Sequence, residues 1–169
     1  MPRVRIPLTS RPLDIVVLVL YSYFLFSCFF IERHYCAAPL DPNDSDWLLR
    51  ETYEYSEKFN PLFLARPEWL RVATCMSAYM LSVGYIVGIV AILGALDILR
   101  IPLLMFCSFK LNALTLYYWI EFFGSMPVPD LGMFLAPEGP YLIALAIVLF
   151  RMRSSHPFTR EVSAQKKRK

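Results

Sequence analysis

The chain has 169 residues, of which 57% are apolar and 18% charged, with 6 Gly and a formal net charge of +3. A soluble domain averages about 45–50% apolar and about 25% charged residues. This composition therefore excludes a disordered, collagenous or linker-type chain and argues against an ordinary soluble domain. The small net charge implies no polyelectrolyte partner and no nucleic acid. The 4 Cys show no CxxC spacing, and Cys28, Cys75 and Cys107 lie in apolar runs, where cysteine is usually a small hydrophobe. Neither a metal site, a cofactor nor a disulfide scaffold is expected.

A short N-terminal segment, residues 1–12, carries Arg3, Arg5 and Arg11. Ile15 to Ile31 is then free of charge. A bilayer core about 30 Å thick needs roughly 20 apolar residues in a helix, and helices satisfy their own backbone groups in lipid. A first span is predicted near 13–33, with Ser10 as its cap, Pro12 in its first turn and Asp14 complementing the positive dipole end. Glu32, Arg33 and His34 follow with no small-residue cleavage site, so the run reads as a span rather than a cleavable signal peptide.

The loop from His34 to Glu68 is rich in Asp and Glu. It is expected to hold a short helix capped by Ser45, with Trp47, Leu48, Tyr55 and Phe59 on an apolar side, ending at Asn60-Pro61. Such a helix would lie on the bundle or at the interface. Asn43-Asp44-Ser45 is a glycosylation sequon close to the membrane.

Val72 to Leu96 predicts a second span near 70–97, followed by a tight turn from Leu96 to Pro102. A third span is predicted near 101–123, apolar except for Lys110 over most of its length. A fourth is predicted near 131–152, where Glu138 is the charged residue and Pro137, Gly139 and Pro140 forecast a kinked or partly re-entrant start. The basic tail, 153–169, is expected to be mobile from Ser154 onward without a partner. Residues 13–152 read as one four-span unit without internal repeat or second domain. The fold class is all-α: an integral membrane four-helix bundle. Arg3, Arg5 and Arg11 before the first span, and Arg151 to Lys169 after the last, put both termini in the cytosol and the two longer loops on the other side.

Charge within a span is expensive and usually functional. Lys110 and Asn112 fall near mid-membrane, where a lysine must pair, face a polar cavity or lose its proton, and where snorkelling is hard. Glu121, at the end of the third span, is expected to be solvated at the interface, and Tyr117, Tyr118, Trp119, Phe122 and Phe123 to form a headgroup belt.

Several segments, in this order, carry a family resemblance. They are Ser10-Arg11-Pro12-Leu13-Asp14, Phe29-Phe30-Ile31-Glu32, Tyr55 with Phe59-Asn60-Pro61-Leu62, Pro67-Glu68-Trp69, Arg100-Ile101-Pro102 and Gly139-Pro140-Tyr141-Leu142. Together with the four spans, the chain resembles the EXPERA domain family, which includes the emopamil-binding sterol isomerase and the sigma-2 receptor; the receptor branch is the nearer. The resemblance implies a lipid-accessible intramembrane cavity that takes sterols or hydrophobic amines. Glu32 matches the acid at the end of the family's first helix, although it could also be an interfacial Glu beside Arg33. The family's Asp-Pro-Leu reads Asn60-Pro61-Leu62, and Asn cannot shuttle a proton. By spacing from Trp69 the family's acid in the second span falls on Ser77, unless Glu68 takes its place. Lys110 and Asn112 stand where the family often has His and Thr, and Tyr141 matches a pocket aromatic. Glu138 either replaces a lost acid or is solvated at the kinked start of the fourth span.

With two acids lost, the resemblance implies a non-catalytic protein that binds a sterol or similar hydrophobic ligand through Glu32, Asn60, Ser77, Lys110, Asn112, Glu138 and Tyr141, in sterol homeostasis or transport. One alternative is a sterol Δ8–Δ7 double-bond isomerase with Glu32 and Glu138 as donor and acceptor. Another is an accessory membrane subunit, as a homodimer or within a larger complex. Lys166 and Lys167 resemble a dilysine retrieval signal of the endoplasmic reticulum, with a mitochondrial or other organelle membrane as the alternative.

Overall fold

The computed structural model describes residues 3–161. Within them, four helices are long and apolar enough to cross a membrane: α1 (Pro12–Ala37), then Glu68–Gly94, Asp97–Phe123 and Leu131–Arg151. Between the first two lie α2 (Trp47–Phe59) and α3 (Pro61–Ala65). The second span is labelled α4; the third is a 3-10 turn at Asp97–Leu99 running into α5 (Arg100–Phe123), and the fourth is α6. Long apolar runs become helices here because each closes its own backbone hydrogen bonds. α1 packs against α4 and α6, and α5 against the same two, so the four form a ring.

Close approach depends on a small residue. A Cβ at Gly88 of α4 would collide with the Tyr21 ring of α1. Tyr21, Phe24 and Tyr85 fill the centre, and Phe24 stacks on Tyr141 of α6 with centroids 4.0 Å apart.

Two helices carry a π-helical turn, Cys28–Glu32 in α1 and Ser77–Leu81 in α4. The turns face each other, with the Cys28 thiol 3.7 Å from the Ser77 carbonyl oxygen. A π-turn inserts a residue into the helix and is often found at functional sites.

The end of the bundle that carries the termini is more ordered than the sequence suggests. β1 (Arg3–Arg5) pairs antiparallel with β2 (Thr159–Glu161), and Phe158 is fully buried, so the expected mobility from Ser154 does not hold through Glu161. Lys166 and Lys167 lie outside the described residues. Asp97 receives Phe158 N at 2.9 Å and the Thr159 hydroxyl, which pins the ribbon to the turn between α4 and α5. Helix α1 is not capped by Ser10: Arg11 occupies the cap position without a side-chain cap. Asp14, rather than simply facing the helix dipole, is 2% exposed and bonded to Arg11 (2.7 Å) and Arg151 (2.7 and 3.1 Å). Arg11 also donates to Ile92 O and Ile6 O, and Arg151 to Pro157 O. Burial explains this: Asp14 and Arg11 are withdrawn from water and must be satisfied within the protein, and the partly buried Arg151 completes the carboxylate's bonding.

At the opposite end, a disulfide joins Cys36 in α1 to Cys75 in α4. This corrects the expectation of no disulfide: Cys75 lies one turn inside an apolar run, yet that turn is beside the end of α1. Arg66 reinforces the junction with hydrogen bonds to Tyr35 O (2.9 Å) and Cys36 O (3.1 Å). Its backbone is left-handed, at φ 50°. The loop helix is present as expected, but Asp46 caps it through Leu48 N instead of Ser45, and Trp47 is 65% exposed instead of lining the apolar side. Asn43 is exposed.

Helix α6 runs unbroken through Pro137 and Pro140, so of the kinked or partly re-entrant start forecast for it, the re-entrant form is absent. Pro137 has no N–H for the carbonyl of Met133. The Tyr55 hydroxyl from α2 donates to that carbonyl instead, at 2.8 Å.

Candidate functional site

Two clefts open between the helices and meet at four residues, Glu32, Phe63, Glu138 and Tyr141. The larger, about 480 Å³, lies between α1, α6 and the loop helix α2, whose Glu51, Thr52, Tyr55 and Ser56 form one wall. The smaller, about 340 Å³, lies between α4 and α5 and is mostly apolar. Its rim includes Val72, Met76 and Leu116, which are 44%, 38% and 56% exposed on the outer face of the bundle.

Local structure explains how each side chain arrives. The π-turn of α1 carries Glu32, whose Oε2 lies 3.5 Å from the Cys28 thiol. Ser77 opens the facing π-turn and lines the smaller cleft. Lys110, at the middle of α5, is 7% exposed and also lines the smaller cleft. Its ammonium sits 4.4 Å from the Tyr141 ring centroid and 5.9 Å from that of Tyr85, a cation–π arrangement, with no hydrogen bond or ion pair among the described residues. Glu138 stands one turn before Tyr141 on α6 and lines both clefts.

Asn60 is buried and doubly engaged. Its Oδ1 caps α3 by accepting from Phe63 N at 3.0 Å, and its Nδ2 donates to the Tyr117 hydroxyl at 2.9 Å. Asn60 lines the larger cleft and Tyr117 the smaller, so this hydrogen bond ties one wall to the other. An amide suits the position: it donates and accepts at once, which an ionised carboxylate cannot do. Asn112 is different. It is exposed on the outer face of α5 and lines neither cleft.

The fold also brings in residues that the sequence did not advertise. Thr52 and Ser56 donate to the carbonyls of Leu48 and Thr52, each at 2.7 Å, which leaves their oxygens as acceptors. Burial first, then the neighbouring Glu138 carboxylate, pushes the Tyr55 hydroxyl up to about 12. It therefore remains a neutral donor to Met133 O at any physiological pH. Glu121 is fully buried rather than solvated, and neither carboxylate oxygen has a hydrogen-bond partner among the described residues. The expected headgroup belt splits as well. Trp119 and Phe123 are 65% and 70% exposed, whereas Tyr118 turns inward to donate to Glu138 O. No cluster of three metal-ligating side chains occurs among the described residues.

The arrangement can hold an amphipathic molecule. Its apolar part would fill the smaller cleft, and a polar part would meet carboxylates, an ammonium and a tyrosine where the clefts join. Comparison of the chain with protein-family models, curated proteins and solved structures finds no match.

Proposed function

We propose that this multi-pass membrane protein binds a sterol or similar hydrophobic ligand inside its helix bundle, in the manner of the EXPERA domain proteins its motifs resemble. The observation that carries this reading is the meeting of Glu32, Lys110, Glu138 and Tyr141 where two clefts join inside an apolar bundle. Buried ionisable side chains in a membrane domain are costly and are retained where they orient a ligand or move a proton. Binding would be driven by burial of apolar surface, about 25 cal/mol per Å². The polar quartet would set the ligand's orientation. Arginines at the terminal end and the Cys36–Cys75 disulfide at the other support cytosolic termini and a first loop on an oxidising side. The endoplasmic reticulum membrane satisfies both.

The test is gentle extraction, purification and mass spectrometry of co-purifying lipids from wild type and Lys110→Leu. The expected outcome is a stoichiometric lipid in wild type that is depleted at least fivefold in a variant that still inserts. An empty wild-type protein, or equal occupancy in both, would refute the assignment. A constant set of larger partner proteins in place of lipid would favour an accessory-subunit role.

One observation favours a second reading. Glu32 and Glu138 both border the junction, which is the two-carboxylate requirement of a double-bond isomerase. Incubation with a Δ8 sterol decides it: a Δ7 product that disappears in Glu138→Gln makes the protein an enzyme.

A further inference from the structure

The larger cleft has an unusual chemical bias. Three carboxylates line it, those of Glu32, Glu51 and Glu138, and no Lys, Arg or His does. The hydroxyls on its loop-helix wall have already spent their hydrogens. Thr52 donates to Leu48 O, Ser56 to Thr52 O and Tyr55 to Met133 O, so each offers the cleft an oxygen lone pair. Tyr23, Ser27 and Tyr141 make no side-chain hydrogen bond among the described residues and can turn to suit either partner. A wall made of acceptors attracts hydrogen-bond donors and repels anions. It also belongs to α2, in the loop between the first two long helices, whereas the apolar cleft lies between α4 and α5.

Lys110 adds an independent requirement. More than nine-tenths buried, with its ammonium unpaired by any described residue, it points into the apolar cleft close to the junction. Its three donors make no hydrogen bond among the described residues, although the Glu32 and Glu138 carboxylates border the same cleft, so an acceptor on a ligand would complete them.

Resting on the ligand-binding reading, we propose that the ligand is an acyl lipid with an uncharged polyol head. Its hydrocarbon chain lies in the cleft between α4 and α5, its ester carbonyl accepts from Lys110, and its hydroxyls donate to the acceptor wall of α2. A sterol, with one hydroxyl, would leave most of that wall to water. A phosphate head in the larger cleft would meet three carboxylates against the single ammonium of Lys110 at the junction.

Three probes with the same oleoyl chain separate the contributions: 1-monooleoylglycerol, methyl oleate and 1-oleoyl-lysophosphatidic acid. Their affinities are measured against the full-length protein in phosphatidylcholine nanodiscs. Monooleoylglycerol should bind at least tenfold more tightly than either of the others. In Thr52→Val with Ser56→Ala, which removes acceptors and keeps shape, its advantage over methyl oleate should fall below threefold. Closure of the Cys36–Cys75 bond in that variant verifies its fold. Equal affinities, or preference for the phosphate, would overturn the proposal. If none of the three binds but a fluorescent sterol does, the polyol assignment falls and the ligand-binding function stands. If neither class binds, both fall.

Discussion

Replacing both Cys36 and Cys75 by serine removes the covalent tie between α1 and α4, and the size of the effect follows from the chain it closes. The two cysteines are 39 residues apart, and the segment between them contains α2, α3 and Asn60. On the chain-entropy model, opening a loop of that length releases about 13 cal/mol/K, or about 4 kcal/mol at room temperature. Membrane helices stay inserted when the bundle loosens, which already limits the loop, so about 4 kcal/mol is an upper bound. The neighbouring contacts survive: Arg66 still holds Tyr35 O and Cys36 O, and Tyr35 still stacks on Phe63 at 4.0 Å and donates to Phe63 O. The expected result is therefore a folded variant whose melting temperature in detergent is lower by several degrees and by no more than about 8–16 °C, at roughly 2–4 °C per kcal/mol for a chain of this size. Reductant should lower the wild type by a similar amount and leave the variant unchanged. A variant that melts within 1 °C of wild type would refute the reasoning, as would wild-type Cys36 and Cys75 that alkylate without reductant.

Asp14→Asn leaves the buried Arg11 and the partly buried Arg151 without their shared counter-charge, and breaking a buried pair typically costs about 3–5 kcal/mol; thermal unfolding should show the largest loss of any single terminal-end substitution. Gly88→Ala drives a methyl group into the Tyr21 ring, and overpacking of that kind costs about 1–3 kcal/mol, read as a lower melting temperature with α1 displaced from α4 in cysteine cross-linking. Tyr55→Phe strands the Met133 carbonyl that Pro137 cannot serve, for a loss of about 1 kcal/mol, and amide exchange at the start of α6 should accelerate. An unchanged exchange pattern would mean that water replaces the hydroxyl without penalty.

Apolar length located the four long helices: the first two runs are free of charge, the next two carry Lys110 and Glu138, and runs so long and so nearly uncharged leave few alternatives. The loop helix was legible from its polar loop and the Asn60-Pro61 stop, although its cap is Asp46 rather than Ser45. What escaped the sequence depends on contacts between distant segments. Cys36 and Cys75 show no motif; they pair because the end of α1 lies beside the second turn of α4. Asp14 finds Arg151 across 137 positions, a partner that local dipole reasoning has no means to suggest. Glu121 looked like an interfacial acid, yet the chain folds back to bring Val128 N onto its carbonyl and covers it. At the candidate site, Lys110 and Glu138 were legible as charges in apolar runs, whereas Glu32, Ser77 and Tyr141 were singled out by the resemblance, and the structure brings all five to the smaller cleft. Asn112 obeyed the same rule of composition but faces outward, since only helical phase separates it from Lys110 two positions earlier. The acceptor wall of α2 had no signature, because Thr and Ser become acceptors only when their own helix takes up their hydrogens.

The ribbon of β1 and β2 sets a timetable for assembly. Arg11 and Asp14 leave the ribosome long before Arg151, Phe158 and Thr159. Until Arg151 follows, 137 positions after Asp14, the Arg11–Asp14 pair has no second arginine, and Asp97 waits for the strand that will cover it. The helices can insert one by one, but this closure is a late event that requires the chain through Thr159. A nascent chain arrested before Arg151 would expose an unsealed charged cluster at the membrane surface, the kind of defect that cellular surveillance of membrane proteins can read as incomplete.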